Sequence, residues 1–380
     1  MSPALVHDLD GDALEGSGVL RDLGGGPLSV VLWQAGREVM LWTRANGPRA
    51  GLFVAGAHRE RLAVLRSLKV PEEVAPLLRA LSEAVLKEPE LTDANDVALL
   101  CRHASEWALD AGAHESAVWF AQAAAFALPT SGRLALRTGI AARRAGKLLR
   151  AESWLLRAVG LARKRDWSVY AESYVELARV SEQRGDRALA RRRFHSARRA
   201  ARRNGIRDLR GKALHGLLRL AMDEGDLAEA SRVAHFARRC VSLSDPGRPR
   251  LDADLAALFI RSGETGRALH LLGNLLSVAT EPRERMLLLA LQAHAYGLEG
   301  QSVPLADAWT AAWDLASEGG GGDGEPRTRA LLALAAAALA AGNVRHARLA
   351  EDAARDLACD PLERWLVGAH LARVGGNHGC

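Results

Sequence analysis

From about residue 95 to residue 358, apolar and polar positions alternate with the three-to-four-residue spacing of amphipathic helices, and they do so in pairs. Each pair meets at a glycine: Gly112, Gly146, Gly185, Gly225, Gly263, Gly300 and Gly342, spaced 34, 39, 40, 38, 37 and 42 residues apart. A period of this size predicts a helical solenoid, in which each hairpin buries its apolar face by stacking on the next. Small residues keep register with the glycines. Five residues after the turn stand Ala117, Ala151, Ala190, Ala230, Ala268 and Ala347, with Leu305 in the Gly300 copy. Seven further on stand Ala124, Ala158, Ala197, Ala237 and Ala354, with Leu275 in the fifth copy. Positions seven apart share one face of a helix, and small side chains there let the partner helix come close. Glycine suits the corner because it tolerates positive φ.

The strings AGAHESAVWFAQAA, AGKLLRAESWLLRAV, RGDRALARRRFHSA, EGDLAEASRVAHFA and AGNVRHARLAEDAA carry this pattern. They resemble the tetratricopeptide repeat (TPR) family, over roughly seventy percent of the chain. The aromatic that the family places four residues before the turn glycine is present only as Phe259 and Tyr296, and most repeats are longer than 34 residues. Long, alanine-rich repeats of this kind resemble the TPR sensor regions of bacterial transcriptional regulators. The resemblance implies a mainly α fold: a right-handed solenoid of about seven helix pairs, with first helices lining a concave groove and second helices on the convex side.

Punctuation along the chain refines the map. Thr92 to Asp96 offers N-cap candidates for the first repeat helix. Gly319 to Pro326 reads as a flexible loop, with Pro326 suited to open a helix. Asp360-Pro361 starts a capping helix that runs to about Arg373, and Gly375 to Cys380 reads as a loose tail. The first ninety residues break the pattern. Leu28 to Trp33 and Glu38 to Thr43 are apolar and rich in β-formers, separated by Gln34 to Arg37, which predicts a β-hairpin. Gly51 to Val54 offers a third strand, followed by helices near residues 57–68 and from Pro71 to about Lys87. The expected organisation is a small α+β module over 1–90, a solenoid over 91–358, and a capping helix with a tail over 359–380.

Composition supports packed helices: about 70 of the 380 residues are alanine and only 5% are aromatic. Net charge is +6, yet the stretch from Arg184 to Lys212 alone holds twelve basic and two acidic residues, a balance of +10, so the remainder sums to −4. The chain is near neutral with one basic segment. Four widely spaced cysteines with no CxxC pair suit a reducing, cytoplasmic setting. An acidic N-terminus argues against a signal peptide, and even the long apolar stretch that contains Leu331 to Ala341 falls short of a membrane span. No membrane association is expected.

No convergent catalytic set emerges. Asp8-Leu9-Asp10-Gly11-Asp12 resembles the nucleophile motif of haloacid-dehalogenase-type phosphatases, but Asp12 departs from that pattern and no βαβ succession follows, so the string reads as an acidic loop. Gly24 to Gly26 lacks the Lys-Ser/Thr of a phosphate loop and reads as a turn before a strand. Cys359, His370, His378 and Cys380 lack zinc-ligand spacing, and Cys101 does not share a helix face with His103. Enzymatic activity, cofactors and metals are therefore not expected.

Two sets of charged residues remain. Counting back from each turn glycine places Arg102, Arg143, Glu172, Arg179, Lys212, His215, Arg219, Arg261 and His294 toward the groove. That lining is mostly cationic and suits an acidic peptide or protein segment held by charge-assisted hydrogen bonds. On the helix after Gly185, Ala190, Phe194, Ala197 and Ala201 form a core stripe, while Arg191, Arg192, Arg198, Arg199, Arg202 and Arg203 flank or oppose it. The expected function is a non-enzymatic, protein-binding scaffold or regulatory sensor using the groove. The alternative is a nucleic-acid-associated transcriptional regulator using the basic ridge at 187–203.

Overall fold

The computed structural model describes residues 17–43, 63–64, 66–67, 70–84, 93–242, 244–245, 247–318, 324–358 and 361–376. Regular structure among the described residues is helical, with no strand. The chain forms two compact units, Met1–Val180 and Ser181–Cys380, each built from successive helices.

The first unit opens with α1 (Ser17–Asp22), α2 (Pro27–Trp42) and α3 (Ala75–Ala84). The repeat helices α4 (Ala94–Asp110), α5 (His114–Ala127), α6 (Gly132–Arg144), α7 (Leu148–Ala162) and α8 (Trp167–Gln183) follow, α8 running just past the unit's end. Asp93 caps α4 by accepting the Asn95 N–H at 2.8 Å, and Ser131 caps α6 through the Leu134 N–H. The hairpins α4/α5 and α6/α7 pack closely, as the alanine register requires: Ala117, Ala124, Ala151 and Ala158 are at most 1% exposed.

The expected β-hairpin is absent. Residues 28–33 and 38–42 lie on one continuous helix, α2, and Gln34 to Arg37 are its middle turn. The reason is tertiary. Val31, Leu32, Ala35, Val39 and Met40 recur at helical spacing and are buried in one core with Cys101, Trp119 and Phe120 of the first repeat. Burial of that stripe outweighs the β-propensity of its valines. Gly36 lets α2 approach α5 closely: a Cβ there would lie 2.3 Å from the Trp119 indole nitrogen. Gly24 and Gly25 do form a left-handed turn, but it opens a helix instead of a strand. The α+β module is thus replaced, among the described residues, by helices that share the first repeat's core. Residues 51–54 and most of 57–68 lie outside the described residues, while the helix expected from Pro71 is present as α3.

The second unit holds α9 (Arg187–Arg203), α10 (Arg207–Glu224), α11 (Leu227–Cys240), α12 (Arg248–Arg261), α13 (Thr265–Val278), α14 (Pro282–Leu298), α15 (Ser302–Glu318), α16 (Gly324–Ala340), α17 (Val344–Leu357) and α18 (Pro361–Gly376). All seven period-defining glycines sit at corners between consecutive helices with φ between 70° and 84°, a conformation costly for residues bearing a Cβ. Side-chain caps recur at the second helices: Asp186 on α9, Asp226 on α11 and Asn343 on α17. The expected capping helix is α18, which packs on α16 and α17 and buries Leu362, Leu366 and Val367. No described helix is long and apolar enough to cross a membrane.

Candidate functional site

Within the second unit, α10, α12, α14, α16 and α18 line two adjoining cavities of about 230 and 410 Å3, which share Asp254, Leu287 and Arg329. Apolar walls come from Leu287, Leu288, Leu291, Leu332 and Leu366, and small side chains (Ala253, Ala257, Ala333, Ala336) leave the space between them. The larger volume falls in the range of about 300–1,000 Å3 usual for ligand pockets.

Charge enters these walls as pairs. Arg219 of α10 bonds Glu325 at the start of α16. Arg329, one turn along, bonds both Asp223 carboxylate oxygens at 3.0 Å and Glu325 at 2.9 Å. Burial opposes charge on Glu325, but Arg219 and Arg329 outweigh it and hold that carboxyl down at about 2. The same carboxylates push Arg329 well above its ordinary value against the effect of burial. His215 meets Asp254 at 2.6 Å. Burial would raise Asp254, but that hydrogen bond and the charges of His215, Arg219 and Arg329 keep it below the usual carboxylate range. Burial, with His370 and Arg261 nearby, drives His294 down to about 4, so it is neutral at pH 7. Arg187 of α9 lies 3.7 Å from the centroid of the Trp365 ring on α18, a cation–π contact within this unit.

The structure therefore brings His215, Arg219, Arg261 and His294 to these cavities, while Lys212 is exposed and does not line them. Arg261 donates to the Met222 carbonyl. The cationic lining is incomplete as a description, because Asp223, Asp254 and Glu325 of the same unit neutralise much of it. Sequence reasoning missed these acids and Arg329. A signal existed for Arg329: it stands thirteen residues before its turn glycine, as Glu172 and Lys212 stand before theirs.

In the first unit, Arg143 and Arg179 converge on buried Glu176 at 2.9 and 2.5 Å. Both arginines outweigh the burial that would raise Glu176, and its carboxyl lies below the ordinary range. Glu172 is half-buried on the same helix. Arg102 instead pairs with Glu106 at 3.8 Å beside a small cavity of about 60 Å3. Glu176 and Asp254 each stand nine residues before their turn glycine, a second register signal that went unread.

Other candidates resolve simply. Burial pushes the Cys101 thiol up to about 12, which makes it unreactive. His370 meets Glu351 at 3.2 Å, and no group of three or more His, Cys, Asp or Glu among the described residues could hold a metal ion. Asp8 to Asp12, Cys359, His378 and Cys380 lie outside the described residues. On the ridge, Arg191 pairs with Glu224, Arg198 is half-buried, and Arg192, Arg199, Arg202 and Arg203 are exposed.

No protein-family model matches the chain. No curated protein matches it either. Among solved structures, the Rap conjugation gene regulator of the plasmid pLS20, in complex with the Phr* peptide, is similar with a TM-score of 0.53 and 12% identity, over 85% of this chain and 95% of that one. A Rap protein complexed with competence and sporulation factor is similar with a TM-score of 0.51 and 11% identity, over 90% of this chain and 99% of that one. In fold, then, the chain is a TPR-like helical array similar to these Rap regulators.

Proposed function

We infer that this protein is a non-catalytic regulatory scaffold that binds a short peptide, or an extended segment of a partner protein, on the inner face of its second unit. One observation carries the reading: two adjoining cavities lined by leucines and by guanidinium–carboxylate pairs. Apolar walls take up side chains, and a ring of oriented donors and acceptors reads main-chain and terminal groups. The similar Rap structures are complexes with the Phr* peptide and with competence and sporulation factor, which supports the same use of this fold here. An acidic group on the peptide would exchange with Glu325 for Arg219 and Arg329, so an acidic ligand fits the arrangement better than a basic one.

The test is a fluorescence-anisotropy screen of short peptides against the full chain, with hits repeated on Ala336→Trp. Ala336 lines the larger cavity, and the indole would occupy its space. At least tenfold weaker binding, with an unchanged helical circular-dichroism spectrum, is the expected result. Absence of any hit, or hits indifferent to the filled cavity, would remove the proposal.

A further inference from the structure

The basic ridge of α9 does not stand alone. Helices α9 and α11 both pack against α10, and Glu229 of α11 lies near enough to act on His195 and Arg198 of α9. The two helices also carry arginine in the same repeat register. Arg192, Arg198 and Arg199 stand seven, thirteen and fourteen residues after Gly185, and Arg232, Arg238 and Arg239 stand at the same distances after Gly225. No other turn glycine has arginine at both the seventh and fourteenth positions. Five of these six are exposed, Arg198 being half-buried. Arg202 and Arg203 extend the surface at the end of α9, and Arg207 bonds the Arg239 carbonyl at the adjoining end of α11. Across all residues of α9 and α11 there are eleven arginines and a single carboxylate, Glu229, which Arg232 engages.

Such crowding is unfavourable in the isolated protein. Burial lowers Arg198, and neighbouring Arg210, Arg199 and Arg202 lower it further against the pull of Glu229; His195 is depressed by burial and by Arg198, Arg191 and Arg199. A polyanion relieves that repulsion. Two considerations choose which one. Arg192 and Arg199, like Arg232 and Arg239, stand seven residues apart on one helix, a rise of about 10 Å, so the rows Arg192/Arg232 and Arg199/Arg239 are spaced like the phosphate rows across a duplex groove, about 6–12 Å wide. Single strands want aromatic stacking platforms, and the only exposed Phe, Tyr or Trp on these two helices is Phe236.

We propose that the outer face of α9 and α11 is a docking surface for the phosphate backbone of duplex DNA, read without base specificity. The matched rows Arg192/Arg232 and Arg199/Arg239 each engage one strand's phosphates, and binding releases counterions, so it weakens steeply with salt. This surface is separate from the inner cavities and does not depend on a peptide binding there.

The experiment is an anisotropy titration of the full chain with a labelled duplex of mixed sequence across a salt series. Polyglutamate of matched charge is the competing probe. Arg199→Gln/Arg239→Gln is compared with Arg345→Gln/Arg348→Gln, which removes the same charge from exposed positions on α17. The expected result is a linear fall of log affinity with log salt, with a slope reduced by about 1.8 in the first variant (about 0.9 per phosphate contact) and at least tenfold weaker binding. The α17 variant should keep the slope. A flat salt response, equal loss in both variants, or polyglutamate displacing the duplex at equal charge would overturn the proposal, the last in favour of an acidic protein partner.

Discussion

Gly36 shows how much one missing methyl group decides. In an exposed helix interior, replacing glycine by alanine gains about 1 kcal/mol of helix propensity. Here the added Cβ would meet Nε1 and Cδ1 of Trp119 at 2.3 and 2.6 Å, and that indole is 4% exposed with no room to retreat. Overpacking a filled core costs about 1–3 kcal/mol, so the contact outweighs the propensity. Gly36→Ala should lower stability by about 1 kcal/mol or more in urea denaturation of the full chain. A stabilised variant would mean that α2 is not seated on Trp119. The same residue explains the misread hairpin. A glycine between two apolar runs signals a turn when its neighbours are unknown, and a close helix contact once Trp119 is known to lie opposite it.

Among elements, the joint between α10 and α16 is the most informative. Arg219, Asp223, Glu325 and Arg329 close it through ion pairs between residues 106 apart in sequence. Its dependence on pH follows from Glu325. An unfolded glutamate titrates near about 4.3, and the folded one at about 2, so its stabilisation is complete above the unfolded value and disappears as pH falls through the interval toward 2. The stability difference between the native chain and Glu325→Gln should be greatest at pH 5 and above and should shrink toward pH 2.5. A difference that stays constant over that range would show that the carboxylate does not act through its charge. The hairpins themselves were legible beforehand because their determinants are local: a turn glycine, with alanines five and twelve residues on in most copies. The partners of the groove arginines were not, because nothing near Arg219 in the chain announces Glu325.

For the molecule as a whole, α18 matters more than its place near the C-terminus implies. Within the second unit it buries Leu362, Leu366 and Val367 against α16 and α17, lays Trp365 under Arg187, and contributes Leu366 and His370 to the larger cavity. Each buried aliphatic side chain contributes about 1.5–3 kcal/mol. Ending the chain at Ala358 should therefore lower the melting temperature and expose apolar surface that binds a hydrophobic dye; an unchanged melt would reduce α18 to an appendage. The expected capping helix was readable because a solenoid must cover its last apolar face, but its cation–π contact with α9 was not. What the amino-acid order alone determined is the repeat: where the chain turns, which faces are small and buried, and which outer rows are arginine, since these depend on backbone geometry and side-chain size within one hairpin. Only the tertiary structure decided that α2 is a helix and that the groove's cations are already answered by carboxylates from distant helices. Burial and ion pairing depend on what comes to lie opposite a residue, and in this chain those groups can be a hundred residues away.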